Sequence, residues 1–254
     1  MAFNIMMTGT DGMIGSRLAN YLEKQGHRVR RFDPLPADVT DPAEWVKHEY
    51  PWDFVIHLAA LAGVRPSFDD PETYYKSNVL GTHEMFKFAR KCGSKVLYAS
   101  SSNAYEWWGN PYAATKMMNE VQAFNEEAIG MRFHTVWPGR DDMLFKKLQK
   151  GEVEYINKNH YRDFIHVADL IEAINLLLNN FDDVHKKTKV VDIGMGENIS
   201  VAAVAKAMGF MGQYRDENPQ GERESTKADI SVLTSLGWKP KRNILNKGDH
   251  EDVS

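Results

Sequence analysis

The sequence predicts an α/β protein, a doubly wound parallel sheet with a small C-terminal lobe. Three features carry that prediction: a glycine-punctuated turn between an apolar strand and a helix near the start, strands alternating with helices from Asn4 to Val136, and a loosening of that alternation beyond Arg140. Alternation of this kind implies right-handed crossovers and a parallel sheet covered on both faces. Asn4 to Thr8 (NIMMT) reads as a short buried strand, and a turn at Gly9, Gly12 and Gly15 leads into a helix through Leu18, Ala19 and Leu22. Gly26 ends that helix, His27 to Phe32 forms a second strand stopping at Asp33-Pro34, and Asp53 to His57 makes a third after another helical stretch. Helix over Thr73 to Lys91, strand over Lys95 to Ser100, helix over Tyr112 to Ile129 and strand over Met131 to Val136 complete the series.

Beyond Arg140 the pattern predicts a helix at Asp142 to Lys150, an extended piece near Glu152 to Asn157, a helix at Val167 to Asn180 and a strand at Lys189 to Ile193. The expected organisation is a sheet domain over 1–140, with segments of about 162–195 returning to it, and a lobe over 141–240. That lobe is expected to close over the carboxyl edge of the sheet, where such folds bind ligands. Lys241 to Ser254 has little apolar content and reads as a frayed tail.

Composition narrows the function classes. With 254 residues, 43% of them apolar, the chain is long enough to bury a core. A net charge of -4 and no long basic stretch argue against nucleic acid as a partner, because phosphate neutralisation dominates that affinity. Cys92 is the single cysteine, so neither an internal disulfide nor a Cys-rich zinc site is expected, and a reducing, cytoplasmic setting is. The chain runs from Met1 to Asn4 directly into a strand, and no stretch approaches the ~18 apolar residues of a membrane span, so neither a targeting segment nor membrane association is expected. Nine histidines show no HExxH-type spacing, and no metal is expected. His57 reads as a buried strand histidine, at the core or the cofactor edge.

The chemistry starts at Thr8 to Gly15 (TGTDGMIG), where glycines three apart let the backbone approach a pyrophosphate at a helix N-terminus. Asp33 follows Gly15 by eighteen residues at the end of the second strand, where a carboxylate accepts both hydroxyls of an adenosine ribose. A 2'-phosphate would meet that carboxylate as a like charge, so NAD is the expected cofactor. Tyr112 and Lys116 lie four apart on one helical face behind Pro111. A cation beside a phenol favours the phenolate and makes Tyr112 a usable base near neutral pH. The serines 100 to 102 end the fourth strand at the cofactor edge, where a hydroxyl can bridge substrate and Tyr112.

Taken together, these motifs resemble the extended short-chain dehydrogenase/reductases, the NAD-dependent nucleotide-sugar epimerases and dehydratases. The resemblance runs through TGTDGMIG (8 to 15), HLAALAGVRPS (57 to 67), SNVLGT (77 to 82), YASSSNAY (98 to 105), PYAATK (111 to 116), YRDFIHVADL (161 to 170) and ADISVLTSLGWKP (228 to 240). It implies a Rossmann-type cofactor domain with a small, trimmed C-terminal substrate lobe, tightly held NAD and a catalytic set of Ser101, Tyr112 and Lys116, with Ser101 chosen because it lies four before Tyr105. The implied cofactor contacts are Gly9, Gly12, Met13, Ile14, Gly15, Asp33, Asp38, Val39, Leu58, Ala59, Ala60, Asn78 and Ser100, together with Tyr112 and Lys116. Asp38 would be the adenine contact. Arg162 and Arg223 would hold the nucleotide diphosphate, a role that suits the planar guanidinium fork, and Ser102 would touch the sugar.

Within the family, dehydratases carry an acid directly or soon after the catalytic Ser/Thr, and decarboxylating members tend to have Glu there. Here Ser102, Asn103 and Ala104 follow, which favours epimerisation. Arg132 to Met143 (RFHTVWPGRDDM) is similar to a shortened form of a run in UDP-glucuronate 4-epimerases, whose threonine and arginine grip the sugar carboxylate; those roles fall to Thr135 and Arg140. The chain departs from the family at Glu106, where a glycine is usual. It also has a ten-residue Ser101–Tyr112 interval containing Trp107 and Trp108, and a shortened turn at Trp137-Pro138. The implied activity is C4 epimerisation of a UDP-sugar, UDP-glucuronate/UDP-galacturonate first, through a transient 4-keto sugar. The alternatives are another nucleotide sugar such as UDP-glucose or UDP-N-acetylglucosamine, or a non-catalytic NAD-binding regulator. The family also implies a homodimer through a four-helix bundle.

Overall fold

A computed structural model describes residues 2–33, 38–217 and 219–250. Met1, Pro34 of the expected strand stop and 251–254 of the expected tail lie outside the described residues. In chain order the elements are β1 (Asn4–Thr8), α1 (Met13–Lys24), β2 (Arg28–Phe32), α2 (Pro42–Val46), β3 (Phe54–His57), α3 (Val64–Asp69), α4 (Pro71–Tyr74), a π-helical turn (Tyr75–Leu80), α5 (Gly81–Cys92) and β4 (Lys95–Ser101). They continue with a 3-10 segment (Ser102–Gly109), α6 (Pro111–Gln122), β5 (Ala128–Phe133), β6 (Thr135–Trp137), α7 (Leu144–Lys150), β7 (Tyr155–Asn157), β8 (Tyr161–Arg162) and β9 (Phe164–His166). After these come α8 (Val167–Asn179), α9 (Phe181–His185), β10 (Val190–Ile193), β11 (Ile199–Ser200), α10 (Val201–Ala207), β12 (Gln213–Arg215) and α11 (Ser231–Ser235), with short 3-10 turns at Ala123–Asn125 and Lys247–His250 besides.

Six strands form the central sheet in the order β10-β5-β4-β3-β1-β2, with β1 parallel to both β2 and β3, and β3 parallel to β4. Thr8 stands opposite Phe32 on one side and His57 on the other, so the carboxyl ends of three strands finish level. Inner strands are buried on both faces, whereas β2 leaves Arg28, Arg30 and Arg31 in solvent as an edge strand does. Met6, Phe32, Trp45, Val55, Phe86, Phe88 and Tyr98 share one core on this sheet.

The chain divides into two compact units, residues 1–132 with 178–191, and residues 133–177 with 192–254. In the second, β6 pairs with β9, β11 with β8 and β12 with β7, around a core of Trp137, Phe145, Ile156, Phe164, Val204 and Ile244. Asp163, fully buried, accepts backbone N–H bonds from Met195 at 2.5 Å, Gly196 at 2.8 Å and Ala228 at 3.0 Å, so one carboxylate ties two distant chain segments to its own.

Several element boundaries are corrected. The helix expected through Ile129 ends at Gln122; Ala128 to Met131 are four successive buried residues that open β5, a short apolar run that periodicity alone assigns to either state. The strand expected over Met131 to Val136 is split at His134, and its second part, with Thr135, pairs with β9 in a two-stranded sheet. The helix expected over Thr73 to Lys91 is α4, the π turn and α5. Residues 241–250 of the expected frayed tail are packed. The N–H groups of Lys241 and Arg242 both donate to Asp169 at 2.9 Å, Ile244 is fully buried, and His250 meets the rings of Trp137 and Phe145 edge-on. A few well-placed groups anchor a segment whose composition is mostly polar.

Candidate active site

The glycine turn is explained by close approach. Gly9 has φ +72°, and a Cβ there would lie 2.6 Å from the Ala59 nitrogen and 2.7 Å from the Leu58 carbonyl carbon; a Cβ on Gly15 would lie 2.0 Å from the Gly9 oxygen. The turn is thus packed against the Leu58–Ala60 strand exit, and α1 opens at Met13 and Ile14 behind Gly12, which supplies no side-chain cap. Backbone N–H groups at such an end suit a phosphate. Asp33 stands at the same place, accepting the Asp11 N–H at 2.9 Å and the Thr10 hydroxyl. Thr8 links the neighbouring strand, with its hydroxyl 2.8 Å from His57 Nδ1 and accepting the Ala59 N–H at 3.2 Å. Burial, with Lys116 as a lesser cause, drives the His57 pKa down to about 3, so the ring is neutral and structural.

Asp38 accepts the Thr40 N–H at 2.8 Å and its hydroxyl at 2.7 Å; these bonds, the backbone one first, hold its carboxyl below the ordinary range. Val39 is buried and its carbonyl accepts the Trp45 indole N–H at 2.8 Å. Asn78, fully buried in the π turn, accepts the Leu61 N–H at 2.8 Å and donates to Leu61 O and Thr115 Oγ1, both at 3.0 Å. It therefore ties the loop after β3 to α6. Single π turns of this kind recur at functional positions.

Helix α6 begins where Asn110 accepts the Ala113 N–H at 2.7 Å and Pro111 occupies the first turn, which sets Tyr112 and Lys116 on one face. Lys116 Nζ lies 5.9 Å from the Tyr112 ring centroid and donates to Ala99 O at 2.8 Å. The ammonium is buried, and that burial lowers its pKa to about 8 although Glu120 opposes the shift. Ser101 accepts the Asn103 N–H at 3.2 Å and caps the 3-10 segment that leads to Asn110; Ser102 is buried beside it. Ser100 points elsewhere, donating to Glu120 Oε1 at 2.5 Å. The first unit thus brings the glycine turn, Asp33 and the strand exits together at the carboxyl end of the sheet. It also places Tyr112 one helical turn from a buried cation.

The second unit holds the remaining candidates. Thr135 donates its N–H to Asp163 O at 2.9 Å. Arg140 is bidentate on Asp142, both bonds 3.0 Å, and thereby depresses the Asp142 pKa. Arg162 donates to the carbonyls of Tyr161 at 2.9 Å and Glu224 at 3.2 Å and lies 3.7 Å from the Glu222 carboxylate. Its pKa is lowered by burial first, with Glu222 opposing and the like charge of Arg223 adding to the lowering.

Sequence reasoning missed Glu120 and Arg132, a bidentate pair at 2.8 and 2.6 Å. A partnership between a helix and the next strand leaves no spacing signal, and only the position of Glu120 one turn after Lys116 hinted at it.

The model of the NAD dependent epimerase/dehydratase family matches residues 5–194. Protein CapI of Staphylococcus aureus is 31% identical over 94% of each chain, in an alignment of 317 positions against the 254 residues here, so it carries insertions that this chain lacks. UDP-glucuronate 4-epimerase 3 of Arabidopsis thaliana is 26% identical over 95% of this chain and 74% of its own. The structure of MoeE5 in complex with UDP-glucuronic acid and NAD superposes with a TM-score of 0.80 at 26% identity, covering 95% of each chain.

Proposed function

We propose, from the premise that the chain belongs to the NAD dependent epimerase/dehydratase family, that it inverts C4 of a nucleotide sugar, with UDP-glucuronate and UDP-galacturonate as the pair interconverted. NAD is the cofactor of this family of enzymes, and the residues fit it: a turn with no room for a Cβ at Gly9 or Gly15, an uncapped helix start, and the Asp33 carboxylate beside that turn, placed to accept the ribose hydroxyls. Bound there, it supplies an acceptor and donor of hydride. The chain's own part is proton handling. Tyr112 takes the proton of the sugar 4-hydroxyl and returns it. Lys116 favours the phenolate form, and Ser101 orients the hydroxyl between them. The observation that carries this reading is the buried Lys116 ammonium 5.9 Å from the Tyr112 ring.

Epimerisation is favoured over elimination because Ser102, Asn103 and Ala104 after Ser101 offer no acid to a departing hydroxyl. The uronate is favoured by the likeness of the 132–143 run to UDP-glucuronate 4-epimerases, with Thr135 and Arg140 as the carboxylate grip and Arg162 and Arg223 on the diphosphate. One observation supports a neutral sugar such as UDP-glucose instead, namely that Asp142 already occupies the Arg140 fork. A homodimer through the long helices and a cytoplasmic setting complete the proposal. Proton NMR of the anomeric region during incubation of the NAD-loaded enzyme with a UDP-sugar panel tests it. UDP-galacturonate should grow from UDP-glucuronate without release of carbon dioxide. Faster turnover of UDP-glucose or UDP-N-acetylglucosamine would assign the neutral sugar, and no turnover with NAD bound would leave a non-catalytic protein.

A further inference from the structure

Ser100, Glu120 and Arg132 form a cluster that the proton chemistry does not use. Arg132 on β5 grips both carboxylate oxygens of Glu120, and the two side chains are only 16% and 7% exposed. The same guanidinium lies 4.1 Å from the ring centroid of Tyr105, in the segment between Ser101 and Tyr112. Glu120 sits one turn beyond Lys116, on the same face of α6. Lys116 bonds Ala99 O and Glu120 bonds the Ser100 hydroxyl, so two successive residues of β4 are tied to two successive turns of α6, and the next residue of the strand is Ser101. A buried ion pair adds little stability over an apolar pair of similar volume, and stability alone does not account for this one.

We propose that Glu120, clamped by Arg132, is a positioning residue that fixes the end of β4 on α6 and so sets Lys116 and Ser101 relative to Tyr112. The proposal rests on the reading of Tyr112 as the base. Glu120→Gln alone strands a buried cation and is expected to weaken the fold, so the decisive variant is Glu120→Leu with Arg132→Met, which removes both charges and leaves the net charge unchanged. The direct field of the pair at Tyr112 then largely cancels between parent and variant. Among the charged and titratable groups on the elements packed against α6, all of them common to parent and variant, are Arg65, Asp69, Glu72, Tyr74, Tyr75, Lys76, Lys95, Tyr98, Tyr105 and Glu106.

On whichever nucleotide sugar the parent turns over, the double variant should lose about tenfold to a hundredfold in kcat, as misplacement of a reacting group does. KM should stay within about twofold. An ultraviolet difference titration against Tyr112→Phe, with folding followed by circular dichroism, reads the Tyr112 phenol without turnover. Its midpoint should rise by about one pH unit as Lys116 loosens. Ser100→Ala, which spares the ion pair, should show a smaller loss of kcat at unchanged melting temperature, with Ser100→Thr restoring it. If the double variant folds and keeps both its kcat and the Tyr112 midpoint, the proposal is overturned; should it not fold, unchanged kcat in Ser100→Ala overturns it. A parent that turns over no nucleotide sugar defeats the functional reading, while the Tyr112 titration still decides the role of Glu120.

Discussion

Lys116 in the first unit and Arg140 in the second carry the two positive charges on which the proposed chemistry turns, and the fold treats them in opposite ways. Lys116 is buried and its ammonium donates to a carbonyl, whereas Arg140 is half-exposed with its fork closed on a carboxylate. A charge held against its solvation preference responds to its neighbours, and one already satisfied must be won from its partner. The difference separates a residue that tunes reactivity from one that tunes selectivity.

The comparison breaks first at Tyr112. Tyr112→Phe removes the base alone, so turnover should fall by at least ~10² while NAD binding by calorimetry stays nearly intact. Activity retained within about tenfold would sink the mechanism.

Lys116→Met should abolish most turnover and weaken NAD binding, yet stabilise the cofactor-free protein. Its folded pKa, about 8, lies below the ordinary 10.5, so the native state binds fewer protons than the unfolded chain between those values and gains stability as pH rises through that window. Below pH 8 the strain is fully present, and Met at this position should relieve up to about 3 kcal/mol of it at pH 7. Melting curves should show a gain at pH 7 that shrinks by pH 10. A destabilised variant at both pH values would mean that Lys116 is not strained. Deprotonation of the same group should make the parent's kcat fall as pH rises through about 8.

Arg140→Ala should lose roughly 1.5 to 3 kcal/mol of binding toward a UDP-uronate, the range for a hydrogen bond to a charged group, and much less toward neutral UDP-hexoses. Equal losses on both would make Arg140 a loop residue. The smallest effect sharpens the comparison: Asp142→Ala frees the Arg140 fork and should tighten UDP-glucuronate by a few tenfold at most, within about 1 to 2 kcal/mol. Weaker binding in that variant would show instead that Asp142 positions the fork.

Where a local pattern carries the physics, the local geometry of the candidate site was legible in the chain. Glycines three apart, an acid at the end of the second strand and Pro111 opening a helix with Tyr112 and Lys116 on one face are all short-range features, and the glycine turn, Asp33 and α6 stand where they imply. Contacts between distant segments were not legible. Glu120 finds Arg132 across a helix and a strand, and Asp163 collects N–H groups from residues 32 to 65 positions away. The packed 241–250 segment was hidden for the same reason, since Asp169, its anchor, lies some seventy residues earlier.

The order of synthesis gives the edge of the central sheet a particular vulnerability. The first unit recovers residues 178–191 only after the intervening 133–177 have been made. Until then β5 lacks its neighbour β10, and Phe54 and Lys95 lack Phe181 and Asp182, which meet them edge-on and as an ion pair. A nascent chain halted at residue 132 therefore presents an open strand edge and uncovered aromatic surface together, the combination most prone to pairing with another chain. For this protein the interval between those two stretches leaving the ribosome is the window in which a chaperone has the most to protect.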